Sequence, residues 1–507
     1  MVLPNISERR EECQNLQAEL LSNRRLIVVA NRGPVRFGYE ENGERSFIRG
    51  GGGLVTALLG LAQHVEMTWV AAANTDADRD FKAGVVELNN GNRLKVRFIE
   101  PSEEAYAGYY NVISNPLLWF LQHNMWDGIR TPSITRETWS AWETGYVKVN
   151  EQFAEAIAEE VATSDKPSLV MIQDYHLYPA PQFLRRKLKK RRNKNMKLMH
   201  FIHIPWPGPE DWGMLPRDMR QIILDGLCSV DLLGFQTRDD ALNFIRTCET
   251  HMPRASVNYK RGRIWVHNHS THVRDFPISI DVDALRKLAG TEAVSHYHAD
   301  IQHLVRDRKL ILRIERTEPS KNIVRGFEAY GELLELHPEH RGEVKFLALI
   351  VPSRLGVGEY QEYLDEIMAC AGRVNAKYGN SDWEPIRILV GEDYPRAVAA
   401  MQQYDVLLVN AIADGMNLVA KEGPIVNQRD GVVVLSERTG ARQQLEPGAI
   451  VISPYDIYST AEALHNALTM PAAERVERAN RLKWIIERED IADWLCRQLE
   501  ALRELRI

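Results

Sequence analysis

Little in this sequence commits it to a membrane, an oxidising compartment or nucleic acid. Its five cysteines (Cys13, Cys228, Cys248, Cys370, Cys496) are scattered, odd in number and form no Cys-x-x-Cys pair. That pattern argues for reduced thiols in a cytoplasm, and against a disulfide frame or a zinc site. No apolar stretch approaches the ~20 residues that span a bilayer, so no membrane partner is expected. The first ten residues lack the charged-then-apolar order of a secretory signal. A formal net charge of −6 gives no reason to expect nucleic acid. No Gly-x-x-x-x-Gly-Lys-Ser/Thr loop is present, which argues against nucleotide triphosphate hydrolysis. The run Gly50-Gly51-Gly52-Gly53 is not the dinucleotide fingerprint, because Val55 stands where the third glycine belongs.

What is present is a long series of short apolar runs between helical patterns. The first set covers residues 26–30, 68–72, 168–172, 198–204, 230–235 and 276–280. The second covers 310–314, 344–351, 386–390, 405–409, 431–435 and 450–453. Unbroken apolar strands spaced by helices indicate parallel sheets buried on both faces. Two sets in 507 residues predict an α/β protein of two doubly wound domains. The weakest apolar patterning, at 290–300, is the expected connection. Residues 7–24 read as a polar helix with one apolar face, and 490–500 as an amphipathic helix.

Two segments carry the chemistry. Asp414-Gly415-Met416-Asn417-Leu418-Val419-Ala420-Lys421-Glu422 follows the 405–409 run, and a strand restarting as a helix offers backbone N–H groups to phosphate. Arg316-Thr317-Glu318-Pro319-Ser320-Lys321 follows the 310–314 run and sets two cations past a strand's end. Together they read as a nucleotide-sugar site: cations for a diphosphate, amides for its phosphates, carboxylates for sugar and ribose. Gln173-Asp174-Tyr175-His176 and His203-Ile204-Pro205-Trp206-Pro207 also follow strands, where ligands gather in open α/β sheets. Asp174 and His203 are either hydroxyl ligands and proton handlers or, for His203, the satisfied histidine of a buried turn. Tyr109-Tyr110-Asn111 and Trp119 to His123 offer aromatic surface to a sugar, or belong to the core.

Other features read as bland. Asp76, Asp78, Asp80 and Glu87 mimic a calcium loop, but Phe81 replaces the required glycine and a strand precedes them. His267, His269 and His272 alternate as a polar strand face without supporting carboxylates or cysteines. The basic run from Arg185 to Arg192 reads as a solvated helix end.

In order and spacing these segments resemble the trehalose-6-phosphate synthase family, from about Arg25 onward. The most specific are the Asp414–Glu422 stretch, His203-Ile204-Pro205, Gln173-Asp174-Tyr175-His176 and Val230-Asp231-Leu232-Leu233-Gly234-Phe235-Gln236-Thr237. The resemblance implies the GT-B architecture, two facing Rossmann-like domains whose last helix crosses back. The domains would be a helical extension at 1–24, an acceptor domain at 25–285, a nucleotide-sugar domain at 286–485, and the returning helix at 486–507. It implies a retaining glucosyltransferase making trehalose 6-phosphate from an NDP-glucose (UDP- or GDP-) and glucose 6-phosphate, with no cofactor and no metal. A homo-oligomer is compatible with it. No phosphatase domain is expected after residue 485, so the product would keep its phosphate.

By the same resemblance, Arg32, Tyr110, Trp119 and Arg354 match the glucose 6-phosphate pocket, and Asp174 the acceptor-side carboxylate. Gly52 and Gly53 match the turn beside the donor phosphates. Arg316 and Lys321 match the pair that neutralises the leaving diphosphate. His203 and Asp414 match ligands of the transferred glucose. Gly415, Met416, Asn417, Leu418, Val419 and Glu422 match the donor's phosphate and ribose contacts. The chain departs from the family at Thr317-Glu318-Pro319, at Trp206, and after Glu422, where Gly423 to Gly431 replaces the usual stretch. These variants look like the branch of validoxylamine 7′-phosphate synthase, which couples cyclitols. A cyclitol-coupling pseudo-glycosyltransferase, a glucosylglycerol-phosphate synthase and a catalytically silent sugar-phosphate sensor are the alternatives.

Overall fold

A computed structural model describes residues 6–49, 66–87, 93–190, 196–266, 268–354 and 358–505. The chain divides into two compact units, Met1–Pro277 with Ile491–Ile507, and Ile278–Asp490. The sequence reading set this junction at 285/286; in the structure it falls between Pro277 and Ile278.

Unit 1 is built on strands β1 (Arg25–Val29), β2 (Val35–Tyr39), β3 (Arg45–Arg49), β4 (Glu66–Ala72), β5 (Ala83–Glu87), β6 (Arg93–Ile99), β7 (Ser168–Gln173), β8 (Met196–Phe201), β9 (Leu232–Phe235), β10 (Ala255–Asn258), β11 (Arg263–Val266) and β12 (His269–Asp275). Ten of them form one sheet in the order β10-β11-β12-β9-β8-β7-β1-β4-β6-β5. β1 pairs in parallel with both β4 and β7, and all five of its residues are buried. That burial on both faces is why it reads as an unbroken apolar run. The chain steps outward from β1 to β4 and β6, then returns to lay β7 against the other edge of β1. Sheet direction reverses there, so the carboxyl ends of β1 and β7 flank the switch-point crevice where such sheets hold ligands.

Unit 2 repeats the plan with β13 (Lys309–Arg316), β14 (Val344–Val351), β15 (Ile386–Val390), β16 (Val406–Val409), β17 (Val432–Ser436) and β18 (Ile450–Ile452). They are all parallel, in the order β15-β14-β13-β16-β17-β18. This is the doubly wound order 3-2-1-4-5-6, with its switch point between β13 and β16. Phe327, Tyr330 and Leu334 of the helix Ile323–Leu336 pack with Phe346, Ala348 and Ile350 of β14 in its core.

The two ends of the chain meet in unit 1. The helix Ile6–Leu21 lies against the helix Ile491–Glu504, with Arg9 paired to Asp493 (3.1 Å) and Glu500 (2.6 Å). Trp494, 1% exposed, donates its indole N–H to the Phe276 carbonyl (3.1 Å).

Two expectations need correction. Residues 276–280 form no strand, although the Phe276 N–H donates to the Phe235 carbonyl at the end of β9 (2.8 Å); Phe276, Ile278, Ser279 and Ile280 are all buried. The apolar run here reports burial, not a strand of the sheet. Residues 290–300 are not a connection but mostly the helix Glu292–Val305, which buries only Val294, Ile301 and Val305.

Candidate functional site

In unit 1 the sheet delivers three site candidates at strand ends. Asp174 follows β7 with φ 71° and ψ 173°, a conformation that costs a non-glycine residue roughly 1–3 kcal/mol. Hydrogen bonds to the neighbouring strand and turn hold it there. Its N–H donates to the Phe201 carbonyl (2.7 Å), its carbonyl lies 2.9 Å from His200 Nε2, and its Oδ1 accepts from the His203 N–H (3.2 Å). The carboxylate is thereby aimed by the turn after β8. His203 Nε2 lies 3.0 Å from Gln173 Oε1, and Gln236 Nε2 approaches His203 Nδ1 at 3.5 Å. This pairing fits a neutral ring with its proton on Nε2. Burial, with His200 adding to it, pushes His203 down to about 3. His203 is therefore a polar, uncharged contact rather than a cation.

Arg32, after β1, is exposed and donates to the Tyr110 hydroxyl (3.1 Å). Tyr110 stacks between Tyr106 (5.7 Å between centroids) and His176 (5.8 Å). Most of the remaining aromatic surface proves to be core. Tyr109 is fully buried and bonds Asn31, and Trp119 is 6% exposed, stacked on His123 at 4.0 Å and tilted against Tyr175. Gly52 and Gly53 lie outside the described residues, as does His267.

In unit 2 the switch point gathers a denser set. Lys321 Nζ lies 2.5 Å from Asp414 Oδ2 and 3.5 Å from Glu315 Oε2. Asn417 ties both carboxylates together, donating to Glu315 Oε1 (3.2 Å) and Asp414 Oδ2 (3.1 Å). Burial opposes the Lys321 charge, but Asp414 and Glu315 outweigh it and raise its pKa above the ordinary lysine range. Lys321 is thus a fixed cation. Beneath it, Arg313 of β13 is fully buried, bonds Asn410 Oδ1 (2.6 Å) and donates to the Lys321 carbonyl. A Cβ on Gly326 would stand 2.4 Å from that guanidinium, so a side chain there would have to displace Arg313 from its hydrogen bonds.

Beside this cluster a third carboxylate serves two arginines. Glu318 is 0% exposed, and its Oε1 lies 2.7 Å from Arg316 Nη1 and 3.9 Å from Arg354 Nη1. Ser353 Oγ also donates to it (3.3 Å). Arg354 has φ 49° and is further held by the Tyr360 hydroxyl (2.6 Å).

The 414–422 segment folds as a turn and a helix. Asp414 is braced to the Arg438–Gly440 turn through its N–H and carbonyl, and Met416 is buried with its carbonyl accepting from Ala441. Gly415 is buried beside it. Asn417, at φ 73°, accepts from the Ala420 N–H (3.1 Å), so one amide of the helix Val419–Val426 is already taken by a side chain. The Leu418 carbonyl accepts from Lys421 and Glu422. Glu422 stands apart from the lysine cluster and accepts from the Tyr394 hydroxyl (2.9 Å); burial raises its pKa.

Sequence reasoning missed Glu315, the pairing role of Glu318, and Tyr360. A signal for Glu315 exists: it is a carboxylate at the end of a mostly apolar strand, directly before Arg316. The bland readings gain concrete roles. Asp78 is 1% exposed and accepts from the N–H groups of Phe37, Asn74 and Thr75, capping the helix Asp76–Phe81. His269 Nε2 lies 2.8 Å from the Val230 carbonyl. Arg185 pairs with Asp231 (2.9 Å) and Lys187 with Glu155, while residues 191 and 192 lie outside the described set.

Two doubly wound units, with cations and carboxylates at their switch points, define the GT-B class of glycosyltransferase. The sequence model of glycosyltransferase family 20 matches residues 24–504, and the chain belongs to that family. It is 32% identical over 479 residues to the UDP-forming alpha,alpha-trehalose-phosphate synthase of Schizosaccharomyces pombe, covering 94% of this chain and 90% of that protein. It is 32% identical over 484 residues to the trehalose-6-phosphate synthase of Klebsiella pneumoniae, covering 95% of each. Among solved structures, an E. coli trehalose-6-phosphate structure bound with UDP-2-fluoro glucose superposes with a TM-score of 0.81 at 29% identity, covering 95% and 98% of the two chains. A UDP-forming synthase from Burkholderia xenovorans in complex with glucose-6-phosphate gives 0.79 at 26% identity, covering 95% and 100%.

Proposed function

We propose that this protein is a retaining glucosyltransferase that moves glucose from UDP-glucose to glucose 6-phosphate, giving trehalose 6-phosphate and UDP. The observation that carries the reading is the Lys321–Asp414–Asn417–Glu315 cluster beside Arg316 at the unit 2 switch point. As the glycosidic bond breaks, the departing UDP gains negative charge. Arg316 and Lys321 stabilise it as it develops, and this preorganised charge needs no divalent metal. The ion pair with Asp414 keeps Lys321 protonated.

Asp414 and His203 are assigned to the hydroxyls of the transferred glucose, and Glu422 to the donor ribose. The backbone from Gly415 through Val419, with Gly52 and Gly53, is assigned to the donor phosphates. On unit 1, Arg32, Tyr110, Trp119 and Asp174 are assigned to the acceptor; on unit 2, Arg354 takes its phosphate. Retention is assigned to front-face attack, in which the leaving phosphate accepts the acceptor's proton. No carboxylate then acts as a covalent nucleophile, and the two-carboxylate scheme of hydrolases does not apply. We place the reaction in the cytoplasm, a reading supported by five buried cysteines that form no disulfide.

The quoted relatives are trehalose-phosphate synthases, which disfavours the cyclitol-coupling and sensor readings. The test is nucleotide release from UDP-glucose and GDP-glucose, each with glucose 6-phosphate, glucose or no acceptor. Release that depends on UDP-glucose and glucose 6-phosphate together, with trehalose 6-phosphate as product, supports the assignment. Preference for GDP-glucose would move the donor base; no acceptor dependence would end the reading.

A further inference from the structure

Away from these residues, unit 2 holds a cluster that the transfer reaction does not use. The helix Ile323–Leu336 begins just after Lys321 and runs 14 residues, so its far end lies about 21 Å away. There the chain reads His337-Pro338-Glu339-His340, and the helix Ile457–Thr469 brings Glu462 and His465, three residues apart, to the same place. The two contributions are 125 residues apart, which is why no metal-ligand spacing shows in the sequence.

We propose that this cluster is a binding site for a divalent cation of the zinc class. One oxygen, Glu339 Oε1, stands 3.6 Å from His337 Nδ1 and 4.0 Å from His465 Nδ1. Ligand atoms of the three residues all lie within 4.8 Å of one another. Four ligands at about 2.1 Å around a tetrahedral ion stand about 3.4 Å apart, so the set must contract and one histidine ring must turn out of the stack for both to face one ion. His340 Nε2 hydrogen-bonds His465 Nδ1 at 3.0 Å and stands outside the three-residue set, so zinc would replace that bond and take water as its fourth ligand. The His337 and His465 rings stack with centroids 3.6 Å apart.

The outer partner is present as well. His337 Nε2 lies 2.8 Å from Glu462 Oε1, which leaves Nδ1 facing Glu339. A carboxylate on the far nitrogen is how metal-binding histidines are oriented and made more basic. Imidazoles with one carboxylate suit zinc, nickel or copper, and not magnesium or calcium, which take oxygen donors. The His337 and His465 side chains are about one-fifth exposed and Glu339 is open, so an ion can enter from solvent. Bound there, it would tie the end of the helix Ile323–Leu336 to the helix Ile457–Thr469.

The test uses the untagged full-length chain, stripped with a chelator and dialysed, then titrated calorimetrically with zinc chloride. One saturable equivalent is expected, with a higher thermal midpoint in zinc. His465→Ala should abolish both effects. Glu462→Ala, which removes no inner ligand, should weaken zinc binding about 10–100-fold. Far-UV circular dichroism checks folding, and Glu462→Ala decides the matter if His465→Ala does not fold. No saturable binding to the wild type, affinity unchanged in the variants, or equal affinity for magnesium would overturn the proposal and leave the cluster a hydrogen-bonded seam.

Discussion

Lys321 and Asp414, 93 residues apart in sequence, form an ion pair of 2.5 Å at the meeting of β13 and β16. The pair holds the lysine protonated, so its charge is in place when a leaving group needs it. Removing that cation by Lys321→Ala, or its neighbour by Arg316→Ala, should lower turnover about 10²–10³-fold. Steady-state UDP release measures this. Near-normal turnover in both variants would refute the leaving-group assignment.

Glu318 is the shared partner of Arg316 and Arg354. In Glu318→Ala both guanidinium groups lose their common anchor, so the KM for glucose 6-phosphate should rise and kcat should fall. Glu318→Asp keeps the charge and should recover part of each. Wild-type kinetics in the alanine variant would show that the arginines are held by their other contacts.

Arginine's planar fork matches phosphate in a way that lysine does not. Arg354→Lys should therefore cut use of glucose 6-phosphate sharply and leave UDP affinity, measured by calorimetry, nearly unchanged. Plain glucose should be a very poor acceptor for the wild type. If the wild type uses glucose as readily as glucose 6-phosphate, the phosphate contact has been misassigned.

In the proposed reaction, Arg316 and Lys321 supply the charge that other transferases take from a metal ion. Activity should accordingly survive thorough chelation. If EDTA abolishes turnover and magnesium or manganese restores it, a metal belongs in the reaction after all. Chelation of zinc-loaded protein should lower the thermal midpoint through the His337–His465 cluster without slowing transfer.

Burial holds His200 at about 4 and His203 at about 3, both below the ordinary histidine value. Between about pH 6.5 and those values the unfolded chain takes up protons that the folded chain does not. The stability these neutral rings contribute is present above pH 6.5 and is lost as pH falls toward 4. Urea denaturation at pH 7 and pH 5 should show lower stability at pH 5. His200→Gln should flatten that dependence, and an unchanged slope would remove His200 from the account.

The parallel strands were legible because burial on both faces leaves a continuous apolar run; β14 and β15 match their expected limits. Residues 276–280 carried the same signal without forming a strand. The helix Glu292–Val305 was misread because three buried residues in fourteen leave almost no apolar stripe. At the site, the ends of β7, β13 and β16 could be named from sequence, since cations and carboxylates directly after apolar runs stand out. The backbone conformations of Asp174, Arg354 and Asn417 could not, because they are imposed by contacts with distant residues. Nor could the sharing of Glu318, which depends on β13 and β14 ending side by side.

The returning helix Ile491–Glu504 also sets an order of assembly. Unit 2 is one uninterrupted stretch of chain, whereas unit 1 needs residues made both before and after it. Domains generally fold as units while the chain emerges. During synthesis unit 2 can reach its final packing while Trp494 has yet to appear, and the Phe276 carbonyl must wait for it. The half of the molecule that is begun first is therefore completed last, and until then the apolar surface that Trp494 and Leu499 will cover stays open to chaperones and to aggregation.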